Sequence, residues 1–280
     1  MKWLTIFFIL VLNIKTSQLN LNALVKLTDY IDQRINTHAP TPPDHAWTFT
    51  IVYDNYAYNP RLETDWGWSC LISRDSLNVL VDAGGRGDIL ISNLNYYQLT
   101  PESIDVVFIT HRHLDHYGGL SHFNSGQPDI QYYVPFNFSN QQLDQLVMNS
   151  SQIHYLRDYT VITEQVFSTG LLGEEIPEQS VVVDTDSGLV LITGCSHPGL
   201  INIVEKVNDL FEQKIFLVMG GFHLTGQSDD VLLNLAQKLD SAGIKYVAPS
   251  HCSGDETRKI FKDYFKQRFI EVGVGFEITI

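Results

Sequence analysis

Thr110-His111-Arg112-His113-Leu114-Asp115-His116 comes directly after an apolar run, residues 104–109, that is typical of a buried strand. The stretch has the pattern His-x-His-x-Asp-His at a strand's carboxyl end, where loops often carry functional groups on a rigid scaffold. Alternate residues of an extended segment point to the same side, so His111, His113 and Asp115 are predicted to share one side. A polar surface loop is the alternative interpretation.

These side chains are good metal ligands. Imidazole and carboxylate groups bind Zn²⁺, Fe²⁺ or Mn²⁺, and neutral imidazole is available near pH 7. His116 is predicted to turn off into a glycine loop at residues 117–119 that can bend around an ion. Four donors within six residues exceed what one tetrahedral ion takes from one strand. The sequence therefore predicts two adjacent divalent metal ions, zinc first, with iron or manganese as alternatives.

Further donors follow later apolar runs. Three such runs each end in a loop that carries a histidine, namely His197, His223 and His251. A lone histidine in a loop is more often an ordinary hydrogen-bonding residue, but three at successive strand ends favour a shared site. Asp82 follows another apolar run and precedes two glycines. It is predicted either to accept the outer N–H of a ligand imidazole or to stabilise its own turn.

The periodicity predicts one α/β domain over residues 46–280. Strand-like runs are predicted at residues 47–53, 68–73, 78–81, 104–109, 130–134, 159–167, 180–183, 189–193, 215–219, 245–248 and 270–279, and helix-like runs at 139–148, 199–212, 228–242 and 255–266. Before this domain, residues 18–45 are predicted to form a short amphipathic helix and a proline-rich linker.

The N-terminus has the features of a secretory signal. One early lysine precedes about a dozen mostly apolar residues, a run too short to anchor a chain in a bilayer. Residues 1–17 are thus predicted to be a signal peptide with an uncertain cleavage site, and the protein to be secreted or periplasmic without a membrane anchor. An uncleaved apolar N-terminus or a buried first strand is the alternative. The three cysteines do not indicate a disulfide framework.

Several motifs resemble one family. The His-x-His-x-Asp-His stretch, together with an aspartate-tipped strand and later histidines, resembles the metallo-β-lactamase superfamily. Within it, three segments are similar to the 7,8-dihydropterin-6-methyl-4-(β-D-ribofuranosyl)-aminobenzene-5′-phosphate synthase-like branch: residues 193–203 (TGCSHPGLINI), 220–224 (GGFHL) and 251–254 (HCSG). Asp54, Asn55 and Asn93 also sit where that branch places such residues. The resemblance covers residues 47–255 and implies a mixed α/β (α+β) fold, a four-layer αββα sandwich with the metal site at one edge of the two sheets.

The resemblance also implies a ligand set. His111, His113 and His197 would bind the first metal ion, and Asp115, His116 and His251 would bind the second. Usual members have an aspartate that bridges the ions, but here the hairpin over residues 180–193 leads into Gly194 and Cys195. A Cys195 thiolate, His197 reaching across, or a hydroxide alone are the alternatives for the bridge. His223 would face the substrate or support a ligand.

The predicted function is metal-dependent hydrolysis. Two cations lower the pKa of a water between them, and the resulting hydroxide attacks an ester, lactone, amide or phosphoester of a small molecule. Asp115 is the candidate for moving the proton of that water, and His223 for stabilising the developing anion or protonating the leaving group. Asn55, Tyr56 and Trp66 are candidate pocket residues.

Other functions are ranked lower. A pterin-related synthase or transferase fits an exported protein poorly, and a non-catalytic metal-binding domain does not explain the retained ligands. A β-lactamase proper fits periplasmic export, but the glycine–histidine motifs belong to the other branch. The net charge of −14 opposes a nucleic-acid partner and so the nucleases of this superfamily. The sequence does not indicate the oligomeric state.

Overall fold

Short β-branched and aromatic runs form two mixed sheets in the computed structural model, which describes residues 45–123, 130–138 and 152–280. The first sheet has the order β13-β1-β2-β3-β4-β5-β6. Its strands are β1 (Thr48–Tyr53), β2 (Ser69–Arg74), β3 (Leu77–Val81), β4 (Val106–Phe108), β5 (Gln131–Pro135), β6 (Ile153–Leu156) and β13 (Glu277–Thr279). Pairing is antiparallel from β13 to β3 and parallel from β3 to β6.

The second sheet has the order β12-β11-β10-β9-β8-β7. Its strands are β7 (Thr160–Thr163), β8 (Val166–Ser168), β9 (Val181–Thr185), β10 (Gly188–Thr193), β11 (Ile215–Gly221) and β12 (Tyr246–Ser250). The predicted hairpin over residues 180–193 is confirmed as the antiparallel pair β9–β10, in which Thr185 faces Gly188. Strands β10, β11 and β12 are parallel, so their carboxyl ends meet at one edge.

Five helices accompany the sheets in the described part of the chain. They are α1 (Gly87–Tyr96), α2 (Leu114–Tyr117), α3 (Leu200–Leu210), α4 (Asp229–Ser241) and α5 (Asp255–Phe265). The helices predicted at 199–212, 228–242 and 255–266 are confirmed within two residues at each end. None of the described helices is long and apolar enough to cross a membrane.

Three apolar clusters define the layers. One lies between the sheets and joins residues such as Phe49 and Ile51 of β1 to Val190 and Ile192 of β10. A second packs α1 on the outer face of the first sheet, and a third packs α3, α4 and α5 on the outer face of the second. The arrangement is a four-layer αββα sandwich, as expected.

Two local predictions were wrong. The run at 159–167 is a hairpin of two strands, and the run at 270–279 pairs as a strand only at its last residues. There Gly275 has a φ of +90°, a conformation that suits glycine and interrupts an extended strand. Helix α1 was not predicted. The predictions for residues 1–44 and the helix at 139–148 lie outside the described residues.

Candidate metal centre

Asp82 lies at the end of β3 and organises the neighbouring strand end. Its carboxylate is fully buried and accepts hydrogen bonds from the backbone N–H of Thr110 (2.8 Å), the Thr110 hydroxyl (2.8 Å) and His116 Nδ1 (2.6 Å). Because the Thr110 hydroxyl proton is donated to Asp82, its oxygen accepts the Nδ1 proton of His111 at 2.9 Å. The Thr110 hydroxyl and Asp82 thus engage Nδ1 of His111 and His116, so both imidazoles present Nε2 to the site.

A helical turn, rather than an extended segment, presents the second half of the motif. β4 ends at Phe108 and α2 begins at Leu114, so Asp115 is helical and does not alternate with His111 and His113 as predicted. His116 also lies in this helix, not in a glycine loop. The turn brings Asp115 Oδ2 to 3.4 Å from Nε2 of His251 and 3.9 Å from Nε2 of His116.

The loop after β10 is held by a carboxylate that the sequence analysis missed. Glu178 is 1% exposed and accepts four consecutive backbone N–H groups, those of Gly194 (3.0 Å), Cys195 (3.0 Å), Ser196 (2.9 Å) and His197 (2.9 Å). Burial raises the pKa of Glu178 to about 7, against the opposing effect of these backbone hydrogen bonds. These four hydrogen bonds thus fix the backbone of the loop that carries the side chains of Cys195 and His197.

His251 follows β12 and is oriented by a neighbouring loop. Its Nδ1 lies 3.0 Å from Oδ1 of Asn55, and its backbone N–H donates to Oδ1 of Asp54 at 3.3 Å. The ring of Trp66 lies against the His251 ring, with centroids 4.8 Å apart, and Trp66 is 54% exposed. Burial raises the pKa of Asp54 to about 7. Asp54 and Asn55, which also match the resembled branch, therefore position His251, a predicted metal ligand.

Two other candidate residues lie away from the histidine cluster. Tyr56 donates its hydroxyl to Asp255 at 2.9 Å. Asn93 is buried and donates to the backbone oxygens of Val52 and Glu63, both at 2.9 Å. These contacts give Tyr56 and Asn93 structural roles.

His223 and Cys252 lie beside the cluster. The rings of His223 and His197 are 4.3 Å apart between centroids, and His223 is exposed. A hydrogen bond with Cys252 raises the pKa of His223, against the opposing effect of partial burial. The pKa of Cys252 is lowered by its hydrogen bond with Cys195 and by that with His223, although burial opposes both.

Four residues of the site have left-handed backbone conformations without being glycine. Their φ angles are 57° for Asp82, 60° for Ser196, 52° for His223 and 49° for His251. Such conformations cost of order 1 kcal/mol each and persist only where surrounding contacts maintain them. Asp82, His223 and His251 each lie within two residues of a strand end, where this conformation turns the chain sharply. Ser196 lies in the loop after β10, and its hydroxyl donates to the backbone oxygen of Gly221 at 2.8 Å.

The donor atoms form four overlapping groups that could hold a metal ion, and two of them combine a pair of predicted histidine ligands with Cys195. Ligand atoms of His111, Cys195 and His197 lie within 4.8 Å of one another, as do those of His116, Cys195 and His251. The Nε2 atom of His197 is buried and has no hydrogen-bond partner among the described residues, and that of His251 faces the Asp115 carboxylate at 3.4 Å. A buried polar nitrogen without a partner is costly in a folded protein, and a cation would satisfy it. Cys195 belongs to both groups, and its Sγ lies 3.2 Å from Nε2 of His116.

The protonation of the site agrees with this fit. Burial, followed by the neighbouring histidines, lowers the pKa of His111 well below its usual value and that of His197 to about 3, so both are neutral imidazoles. Burial alone would lower the pKa of His116. The charge of Asp82 and its hydrogen bond together have the larger effect, so the pKa of His116 is raised overall. Burial alone would raise the pKa of Asp115. The contacts of Asp115 with His251 and His116 together have the larger effect and bring that pKa well below its usual range. The negative charge that favours a proton here also favours a metal cation.

Comparisons with known proteins agree with the fold and the motif. Residues 67–138 match the family model of the metallo-beta-lactamase superfamily. A crystal structure of a metal-dependent hydrolase of the beta-lactamase superfamily superposes with a TM-score of 0.68 and 25% identity, over 84% of this chain and 99% of the other. In its fold and its His-x-His-x-Asp-His segment, the chain resembles the metallo-β-lactamase superfamily. Another metallo-β-lactamase fold protein, YhfI of Bacillus subtilis, has a TM-score of 0.61 at 16% identity and shares the fold, over 84% of this chain and 99% of the other.

One curated relative matches the branch inferred from the sequence. It is the 7,8-dihydropterin-6-methyl-4-(beta-D-ribofuranosyl)-aminobenzene-5'-phosphate synthase of Methanocaldococcus jannaschii, 24% identical over 83% of this chain and 96% of the relative. The resemblance therefore extends through nearly the whole length of that protein.

The structure brings all six predicted ligands together. His113 completes the set, with its Nδ1 3.2 Å from Nε2 of His111 and its ring centroid 4.8 Å from that of His197. Their roles as ligands stay predictions. Glu178 was missed because its sequence neighbourhood holds three glutamates, at 174, 175 and 178, that no local pattern separates.

Replacement of Asp82 by asparagine is expected to weaken metal binding by roughly 10- to 100-fold. Both carboxylate oxygens accept hydrogen bonds, so either orientation of an amide sets its NH₂ group against a donor of Thr110 or His116. Competition with a chromogenic chelator measures the change. Asp105→Asn is the matched control, because Asp105 precedes β4 at the opposite end and accepts only the backbone N–H of Asn78 in the described contacts. Equal affinity in the two variants would contradict the role of Asp82.

Proposed function

We propose that this chain is a dinuclear metal-dependent hydrolase of a small-molecule ester, lactone, amide or phosphoester. The buried Nε2 atom of His197, which has no hydrogen-bond partner among the described residues, and the two donor groups that share Cys195 carry this proposal. His111, His113 and His197 would hold one divalent cation, and Asp115, His116 and His251 the other, with zinc as the first choice for both. Bound cations would supply a water of lowered pKa and would polarise the electrophilic oxygen.

Asp115 is suited to a charged role in this reaction. Its pKa lies well below the usual range, so the carboxylate is ionised near neutral pH. Its side chain is 24% exposed, which leaves it accessible from the open side of the site, unlike the fully buried His116 and His251 beside it. An ionised, accessible carboxylate can hold a cation or accept a proton from an attacking water.

His223 is suited to act on the leaving group. It is exposed at the edge of the cluster, and its raised pKa increases the protonated fraction near neutral pH. A protonated imidazole can donate a proton to a departing oxygen or nitrogen, or stabilise a developing anion. The negative charge of the chain supports a small-molecule substrate over nucleic acid.

The test combines metal analysis with a substrate panel. The purified full-length chain is loaded with zinc, iron or manganese, its metal content is measured, and turnover is assayed on phosphoester, carboxylic ester, lactone and β-lactam substrates. Hydrolysis should require metal, disappear after chelation and return on reloading. Fewer than one tightly bound ion per chain, or full activity in His113→Ala, would refute the proposal.

A pterin-related synthase is the second candidate, favoured by the match over 96% of the Methanocaldococcus jannaschii relative. A synthase would form the dihydropterin conjugate of that name, whereas a hydrolase cleaves a bond with water. Incubation with a pterin substrate, followed by mass analysis of products, distinguishes them. A coupled product would favour the synthase, and hydrolysis products alone would favour the hydrolase. We also propose export to the cell exterior or periplasm, which N-terminal sequencing of the mature protein tests.

Trp66 is expected to form one wall of the substrate site, because more than half of its surface is exposed while its ring contacts His251. Trp66→Ala should raise KM by roughly five- to tenfold through lost aromatic contact, with a smaller change in kcat. Tyr58→Ala is the matched control. Tyr58 is 53% exposed in the same loop but packs against Phe276. A KM change in the control as large as in Trp66→Ala would exclude a specific role for Trp66.

A further inference from the structure

A cavity of about 320 Å³ opens beside the metal centre between the amino-terminal halves of α3 and α4. His197 and His223 line its inner end, so it is continuous with the candidate active site. Its walls are largely apolar and include Ile201 of α3 and Val231 and Leu235 of α4. Val231 is 47% exposed, so apolar surface on this wall is accessible to a ligand.

One cation lies at the outer part of this cavity. Lys238 is exposed on α4 and forms no ion pair with any residue in the described ranges. A second cavity, of about 440 Å³, continues along the same two helices, and both cavities are lined by Ile201, Asn234 and Lys238. Lys238 therefore lies along a groove formed by the two cavities, which leads away from His197 and His223. The second cavity is more polar and is also lined by Glu205, so Lys238 is suited to attract an anion from the first cavity, whose wall beside it is apolar.

We propose that this interhelix cavity binds the non-reacting part of the substrate, an apolar segment that ends in a carboxylate or a phosphate. The inference rests on the proposed function, since it assumes that the bond to be cleaved lies at the histidine cluster. The apolar segment would lie against Ile201, Val231 and Leu235, and the anionic group would pair with Lys238. The substrate class is then an amphipathic, anionic small molecule with its scissile bond at the end opposite the charge.

The test measures binding by isothermal titration calorimetry on the metal-loaded full chain, so it does not depend on turnover. Three probes are used: 4-phenylbutyrate, 3-phenylpropyl phosphate and the uncharged 4-phenylbutyramide. Lys238→Gln should weaken the favoured anion by roughly three- to fivefold, as for a partly exposed ion pair, and leave the amide unchanged. The anion whose binding is weakened more by Lys238→Gln identifies the anionic group of the substrate as a carboxylate or a phosphate. Val231→Trp, which fills the cavity, should weaken all three probes by about tenfold or more.

Matched controls keep the result specific. Lys259→Gln removes a lysine of α5 that pairs with Glu256, and Leu233→Trp adds a tryptophan at a 41% exposed position of α4 outside both cavities. The proposal is overturned if Lys238→Gln behaves as Lys259→Gln, if Val231→Trp behaves as Leu233→Trp, or if no probe binds the unaltered chain. The proposed function instead fails when the substrate panel shows no metal-dependent hydrolysis, so each failure is recognised separately.

Discussion

Glu178→Ala is expected to lower the free energy of unfolding by roughly 4 kcal/mol and to abolish tight metal binding. The substitution leaves four backbone N–H groups, those of residues 194–197, buried without their acceptor. Each orphaned donor costs about 1–3 kcal/mol, and relaxation of the loop recovers part of the sum. The same relaxation moves Cys195 and His197 away from the positions that the donor groups require. Chemical denaturation and elemental analysis measure the two effects.

Glu178→Gln separates positioning from folding. Its amide oxygen can still accept from Gly194, Cys195 and Ser196, but its NH₂ group faces the N–H of His197. The variant should fold and bind metal roughly tenfold more weakly. Glu175→Ala, at an exposed position in the same loop, should change stability by less than about 0.5 kcal/mol. Wild-type stability in Glu178→Ala, or wild-type metal affinity in Glu178→Gln, would show that this carboxylate does not organise the site.

Cys195→Ser is expected to weaken binding of both metal ions by more than about 100-fold. Loss of a partner that only orients a ligand costs 10- to 100-fold, and Cys195 belongs to both donor groups. A serine hydroxyl has nearly the same size but remains protonated near neutral pH, so it is a poor substitute for a thiolate. Chelator competition measures the affinities. In the cobalt-loaded chain, a thiolate-to-cobalt absorption band should be present and should disappear in the variant.

Cys70→Ala provides the control for this experiment. Cys70 is fully buried in the cluster between the sheets, away from the donor groups, so its removal should leave the metal content and the cobalt band unchanged. Two ions bound to Cys195→Ser with wild-type affinity would exclude the thiolate bridge. His197 reaching across, or a hydroxide alone, would then be the remaining alternatives.

The strand ends that carry the site were predictable because their signals are local. Each combines an apolar β-rich run with a polar residue at its carboxyl end, and parallel strands bring such ends to one edge. Asp82, His197, His223 and His251 all follow this rule. The rule works because β-branched residues favour strands. It also works because the polar backbone groups of loops cannot be buried without partners.

The rest depended on contacts distant in sequence. Glu178 acts on residues 16 to 19 positions later, and nothing near it marks the loop it supports. Helix α1 has the sequence GDILISNLNY, whose isoleucines and asparagines favour strands and turns as much as helices, and only packing on the first sheet decides its conformation. Likewise, the switch from extended chain to helix at Leu114 comes from tertiary contacts, such as Trp68 N–H to Asp115 O at 3.2 Å, that local spacing does not contain.

The donors of the site come from both sheets, with Asp82 and His116 on the first and Cys195 and His251 on the second. A chain segment that contains one sheet alone therefore has an incomplete set, and the full set exists only after the two halves have docked. Folding and cation uptake are thus thermodynamically linked: at a free metal concentration of 100 times Kd, binding adds about 2.7 kcal/mol to the stability of the native state. The centre that is proposed to act on a substrate would then also stabilise the docked arrangement of the two sheets.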